Sequence, residues 1–101
     1  MLKKEDERKE EAILELDDIV DEISMLSQLK EIMDVPPFIA MDWETLELML
    51  SSTSHLPKTL YIKGWNAIKE KDPIAANRLE TIINNYNATQ IHFTCNVVYQ
   101  D

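Results

Sequence analysis

A mainly α domain, α+β at its margin, is the fold class this sequence predicts. It has a long N-terminal amphipathic helix, two or three shorter helices and one C-terminal β-strand. Three observations point there. The first third of the chain spaces its apolar residues by three and four, an Asp-Pro pair opens another such run at residue 72, and residues 90–100 switch to a period of two. Composition agrees: 45% of the 101 residues are apolar, with one glycine and four prolines. That is material for a modest core and little turn chemistry, read as a single domain over residues 1–101.

Residues 4–33 read as one helix, the body of an acidic segment 1–34. Ala12, Leu16, Ile19, Ile23, Leu26 and Met33 mark its stripe, which Ile13 and Val20 widen. Lys30 interrupts the seam, and Leu29 and Ile32 drift to another side, as on a straight helix. Pro36 and Pro37 end it and push Val35 out of α geometry. The rest, 35–101, is a compact helical part. "MDWETLELMLSS" starts a short helix with Asp42 as N-cap. "TLYIK", residues 59–63, is a strand by itself and a helix when continued through Gly64, Trp65 and Ile68; helix is preferred. "DPIAANRLETIINNYN" opens with Asp72 at the N-cap and Pro73 at the first helical position. In the tail, Ile91, Phe93, Cys95, Val97 and Tyr99 form one apolar face of a strand over 90–100. A lone strand leaves main-chain groups unpaired, so its neighbour is "PFIAM", "TLYIK" or the same strand of another copy.

Charge is the strongest functional signal. The formal net charge is −9, and residues 10–29 alone hold seven acids without a Lys or Arg, whereas 57–79 are locally +3. On a helix, Glu11, Glu15, Asp18 and Glu22 share one narrow arc, and Glu10, Asp17 and Asp21 form a second ridge. Like-charge pairs four residues apart cost roughly 0.2–0.5 kcal/mol each, so something is expected to offset them. A basic protein partner does so, with Glu11, Glu15, Asp17, Asp18, Asp21 and Glu22 as the docking residues. Ile13, Leu16, Val20 and Ile23 exceed what the following residues cover, and with the tail strand they predict a homodimer. The expected function is therefore non-enzymatic: an acidic regulator or inhibitor docking on a basic surface.

Other chemistries find less support. "ELDDIVDE" resembles the E-x-x-D helix of all-α nucleotide pyrophosphatases of the MazG type at Glu15 and Asp18. That resemblance implies a Mg²⁺-dependent nucleotide hydrolase, with Glu44 and Glu47 as a partner pair, although the E-E-x-x-E helix preceding it in that family is absent. Residues 59–85 could also form a helix–turn–helix exposing Asn77, Arg78, Asn84 and Asn85, against which the overall negative charge would repel phosphate. Cys95 is the sole cysteine, so no internal disulfide forms. On a strand, His92 and Cys95 point to opposite faces, which argues against a nucleophilic pair, while His55 lies in a connector. No catalytic, cofactor-binding or metal-binding residue is assigned. The sequence shows no membrane span and no secretory leader, which places the expected setting in the cytoplasm and makes the Asn87-Ala88-Thr89 sequon a coincidence.

Overall fold

The computed structural model describes residues 8–17, 21–52, 55–90 and 92–101. Residues Thr59–Lys63 form a strand, β2, and the architecture follows from it. Leu60 and Ile62 are fully buried, and a buried strand must find hydrogen-bond partners on both sides. Asn96–Tyr99 (β3) supplies one side and Glu11–Glu15 (β1) the other, both parallel to β2. The tail strand thus pairs with the "TLYIK" segment of its own chain. Parallel neighbours need crossovers. Glu22–Ile32 (α1) and Trp43–Ser52 (α2) make the first; Trp65–Lys71 (α3) and Pro73–Thr89 (α4) make the second.

The fold class is therefore corrected from mainly α to an α+β fold with, among the described residues, four helices on a three-stranded parallel sheet. The long N-terminal helix does not form among the described residues: residues 11–15 are strand, and α1 begins at Glu22. The cause lies in "EAILEL", which carries both periods at once. Ala12 and Leu16 suit a helical stripe, but Ala12, Leu14 and Leu16 also alternate with Glu11, Ile13 and Glu15. Pairing with β2 buries Leu14 and Leu16 completely or nearly so, and it separates carboxylates that a helix would stack. Tertiary pairing outweighs local propensity. The same pairing makes 59–63 strand instead of helix. The strand expected over 90–100 is confined to 96–99, because α4 runs on to Thr89.

Register places Ala12 and Val97 beside Leu60, and Leu14 and Tyr99 beside Ile62. With order β1-β2-β3 and all strands parallel, crossovers of the usual right hand put both helix pairs over one face. Burial fits: the Leu14–Leu60–Ile62 face is closed, whereas Ile13 opposite is 46% exposed. Helix stripes complete the core through Met25, Leu26 and Leu29, through Trp43, Leu46 and Leu50, and through Leu79, Ile82, Ile83 and Tyr86.

Helix ends follow the sequence. Asp42 accepts from Thr45 N–H at 2.7 Å and Asp72 from Ala75 N–H at 3.1 Å, each satisfying an N-terminal donor. Before Pro36, α1 stops at Met33 and Asp34 turns left-handed at φ 55°. Gly64, the one glycine, links β2 to α3 at φ 75°. A Cβ there would also stand 2.6 Å from the Asp17 main-chain nitrogen, so both conformation and space exclude a side chain. At the opposite end of the strands, Arg8 Nη1 donates to the carbonyls of Leu56, Phe93 and Thr94 at 3.2, 2.6 and 2.9 Å.

Candidate docking groove

With the N-terminal helix gone, the expected acidic ridges do not exist as helical arcs. Glu11 and Glu15 are exposed on β1, Asp17 lies in the turn after it, and Asp21 and Glu22 open α1. Asp18 and Val20 lie outside the described residues. Several of these carboxylates have local work. Glu15 pairs with Lys63 at 3.9 Å and Glu10 with Lys58 at 2.7 Å, exposed pairs worth little each. Asp21 caps α1 by accepting from Ser24 N–H at 2.9 Å, and that bond holds its carboxyl below the usual range. Glu22 accepts from the indole of Trp43. Of the residues assigned to self-association, Leu16 is in the core, Ile13 is half-exposed on the open sheet face, and Ile23 is 72% exposed on α1.

A different acidic surface stands between α2 and α4. Residues 31–57 contain five acids (Glu31, Asp34, Asp42, Glu44, Glu47) and no Lys or Arg. Glu44, Glu47, Leu48 and Ser51 follow the three-four spacing of one helix face. They line a groove of about 470 Å³, whose far wall is Ile82, Asn85, Tyr86 and Thr89 of α4. Among the described residues no ion pair holds Glu44 or Glu47. Leu48 is 67% exposed beside them, and Phe38, in the loop leading into α2, is 84% exposed. Large apolar side chains bordered by uncompensated charge are the composition of a contact surface.

The groove is built on rigid parts. Trp43, buried at the start of α2, donates its indole N–H to Glu22 of α1 and lies 5.5 Å under the Arg78 guanidinium of α4. Asp42, its carboxyl held low by the Thr45 N–H, fixes the same helix end. At the base, the Tyr86 hydroxyl accepts from Leu56 N–H at 3.1 Å and donates to the Phe93 carbonyl at 2.6 Å. Burial pushes that phenol up, so it stays a neutral structural tie. Gln90 reaches across to the Leu50 carbonyl at 3.3 Å. α2 and α4 are thus held at both ends.

The other chemistries can now be placed. The MazG-type resemblance required Glu15 and Asp18 on one helix; Glu15 is on a strand, so that helix is absent. Among the described residues, no three His, Cys, Asp or Glu gather closely enough to hold a metal ion. The segment read as helix–turn–helix begins with a sheet strand, and its two helices are joined through the single residue Asp72. Cys95 is buried, and burial pushes its thiol up to about 11, the reverse of an activated nucleophile. His55 stacks on Phe93 at 4.4 Å, and His92 is exposed. Among the described residues, no helix is long and apolar enough to cross a membrane.

What these parts define is a βααβααβ domain with an acidic, apolar-edged groove on its helical side. No protein-family model matches the sequence, and no curated protein matches it either. Sequence reasoning missed the groove because its walls lie about forty residues apart in the chain. One signal was available. Leu48 sits off the Trp43–Leu46–Leu50 stripe and beside two acids, in a stretch without a single Lys or Arg.

Proposed function

We propose that this protein is a non-enzymatic, cytosolic interaction module, a regulator or inhibitor that docks on a basic protein surface through the α2 face. The observation that carries this reading is Glu44 and Glu47 standing without an ion pair among the described residues, beside exposed Leu48 and over a groove walled by α4. Two exposed carboxylates side by side on one helix face give a negative field that steers a cationic surface. Leu48 supplies the apolar contact such an interface needs at its centre. The tail strand pairs with β2 of its own chain, and β1 and α1 replace the long helix whose apolar surface called for a second copy, so this reading does not rest on a homodimer.

The test is affinity capture from extract of the native cell, using wild type and the Glu44→Lys/Glu47→Lys double variant as paired baits. Wild type should retain a protein with a basic surface. The double variant should lose it, and rising salt should weaken capture as the Debye length falls below about 8 Å. Equal capture by both baits would remove the α2 face from the interaction.

A further inference from the structure

Two side-chain amides stand against the outer edges of the sheet, and each holds one residue by both of its main-chain groups. On the β1 side, Gln28 of α1 accepts from Glu15 N–H at 2.8 Å and donates to the Glu15 carbonyl at 2.6 Å. On the β3 side, Asn87 of α4 accepts from Cys95 N–H at 2.7 Å and donates to the Cys95 carbonyl at 2.9 Å. A primary amide presents a C=O and an N–H side by side, as a neighbouring strand would. Each side chain is a surrogate strand one residue long.

Their position matters. Leu16 gives its N–H to Lys63, so alternation along β1 turns Glu11, Ile13 and Glu15 away from β2. Asn96 and Gln100 give theirs to Lys58 and Ile62, which turns Cys95, Val97 and Tyr99 outward on the other side. Each outward row has three positions, and the amide occupies one end of it. Among the described residues two consecutive outward positions then remain in each row, too short a ladder to hold an added strand firmly. An open edge is a template for another chain, and folds block it by covering or interrupting it.

We infer that Gln28 and Asn87 are edge guards, which keep a strand from a second copy of this chain from extending the sheet. The two are not of equal weight. β1 already carries Glu11 and Glu15, whereas β3 reads Asn-Val-Val-Tyr without a charge, an uncharged and β-prone segment. Asn87 therefore bears more of the protection. Its commitment to Cys95 also explains how the Asn87-Ala88-Thr89 sequon is used: the amide is a structural group. This inference does not depend on the docking groove.

The test compares Gln28→Ala, Asn87→Ala and the double variant by sedimentation velocity at tens of micromolar, with amide hydrogen exchange at Glu15 and Cys95. Exchange at the released amide should rise at least tenfold. The variants should associate in the order double, Asn87→Ala, Gln28→Ala, while wild type stays at the single-chain mass. Two controls separate edge pairing from loss of stability. Ile82→Val lowers stability without opening an edge and should not associate. Asn96→Lys, placing a charge on the exposed side of β3, should suppress association when added to Asn87→Ala. Variants that stay at the single-chain mass, association equally strong in Ile82→Val, or no suppression by Asn96→Lys would each overturn the assignment.

Discussion

Between β1 and β2 the chain crosses over through α1 and α2, and between β2 and β3 through α3 and α4. Both crossovers join parallel strands, and both lend one amide side chain to an outer strand edge, Gln28 in the first and Asn87 in the second. They differ at the joint between their helices. In the second, Asp72 alone separates α3 from α4. In the first, residues 33–42 run through two prolines and place Phe38 in solvent, and the helix that follows keeps Glu44, Glu47 and Leu48 exposed. A tight joint lets α4 give its whole stripe to the core. A long joint frees the first crossover to present a surface. One plan thus yields a packing half and a presenting half.

Exchanging the roles of these halves should be most costly in the core. Leu79→Ala, at a 1% exposed position of α4, should lower unfolding free energy by about 2–5 kcal/mol. Leu48→Ala should stay within about 0.5 kcal/mol of wild type. Urea titration of both variants would check this, and equal losses would erase the distinction between the halves. Next comes charge. Glu44→Lys/Glu47→Lys should weaken binding to the captured partner roughly 100-fold, at about 1.4 kcal/mol per tenfold. Glu70→Lys on α3 should leave it unchanged; isothermal titration calorimetry reads both.

The two halves also differed in how far the sequence disclosed them. Asp72 followed by Pro73 announces α4 because cap and first-turn proline act within three residues, and Pro36-Pro37 ends α1 by equally local means. The first strand escapes a linear reading. Ala12 and Leu16 satisfy a helical stripe and a strand alternation together, and the choice is made by β2, whose partner residues begin at Thr59. The groove was hidden for the same reason. Its acids were legible in composition, but Ile82 and Tyr86 turn α2's exposed face into a wall only after both crossovers have folded.

The packing half makes a chemical prediction. A thiol pushed up to about 11 from 9.0 carries roughly a hundredth of the thiolate at neutral pH. Iodoacetamide should therefore label Cys95 at a small fraction of its rate in urea. Rapid labelling of the native protein would mean the β3 side opens easily and is not the rigid half.

The smallest effect concerns acid. Asp21 and Asp42 cap α1 and α2, and both have carboxyls held below their ordinary value by main-chain N–H bonds. For a lowered carboxyl, the stabilisation is complete above the unfolded value of about 3.9 and is lost as pH falls through the folded value. Melting temperature should therefore decline below about pH 4, less steeply in Asp42→Asn. Hydrogen exchange followed through the same range should show α1 and α2 loosening ahead of α4. The reverse order would make the first crossover the sturdier one.

Parallel pairing of β1 with β2 has a consequence for biosynthesis. Glu11 lies beside Thr59 in the register, so during synthesis the first strand must wait for the middle strand to be made. At roughly 5–20 residues per second that wait is several seconds. Throughout it, an apolar strand of the nascent chain has no partner and is open to the wrong one. Glu10, Glu11 and Glu15, with Asp17 close behind, keep that waiting strand charged and soluble. The carboxylates set around β1 thus stand where an unfinished molecule would most need charge, whatever they do in the folded domain.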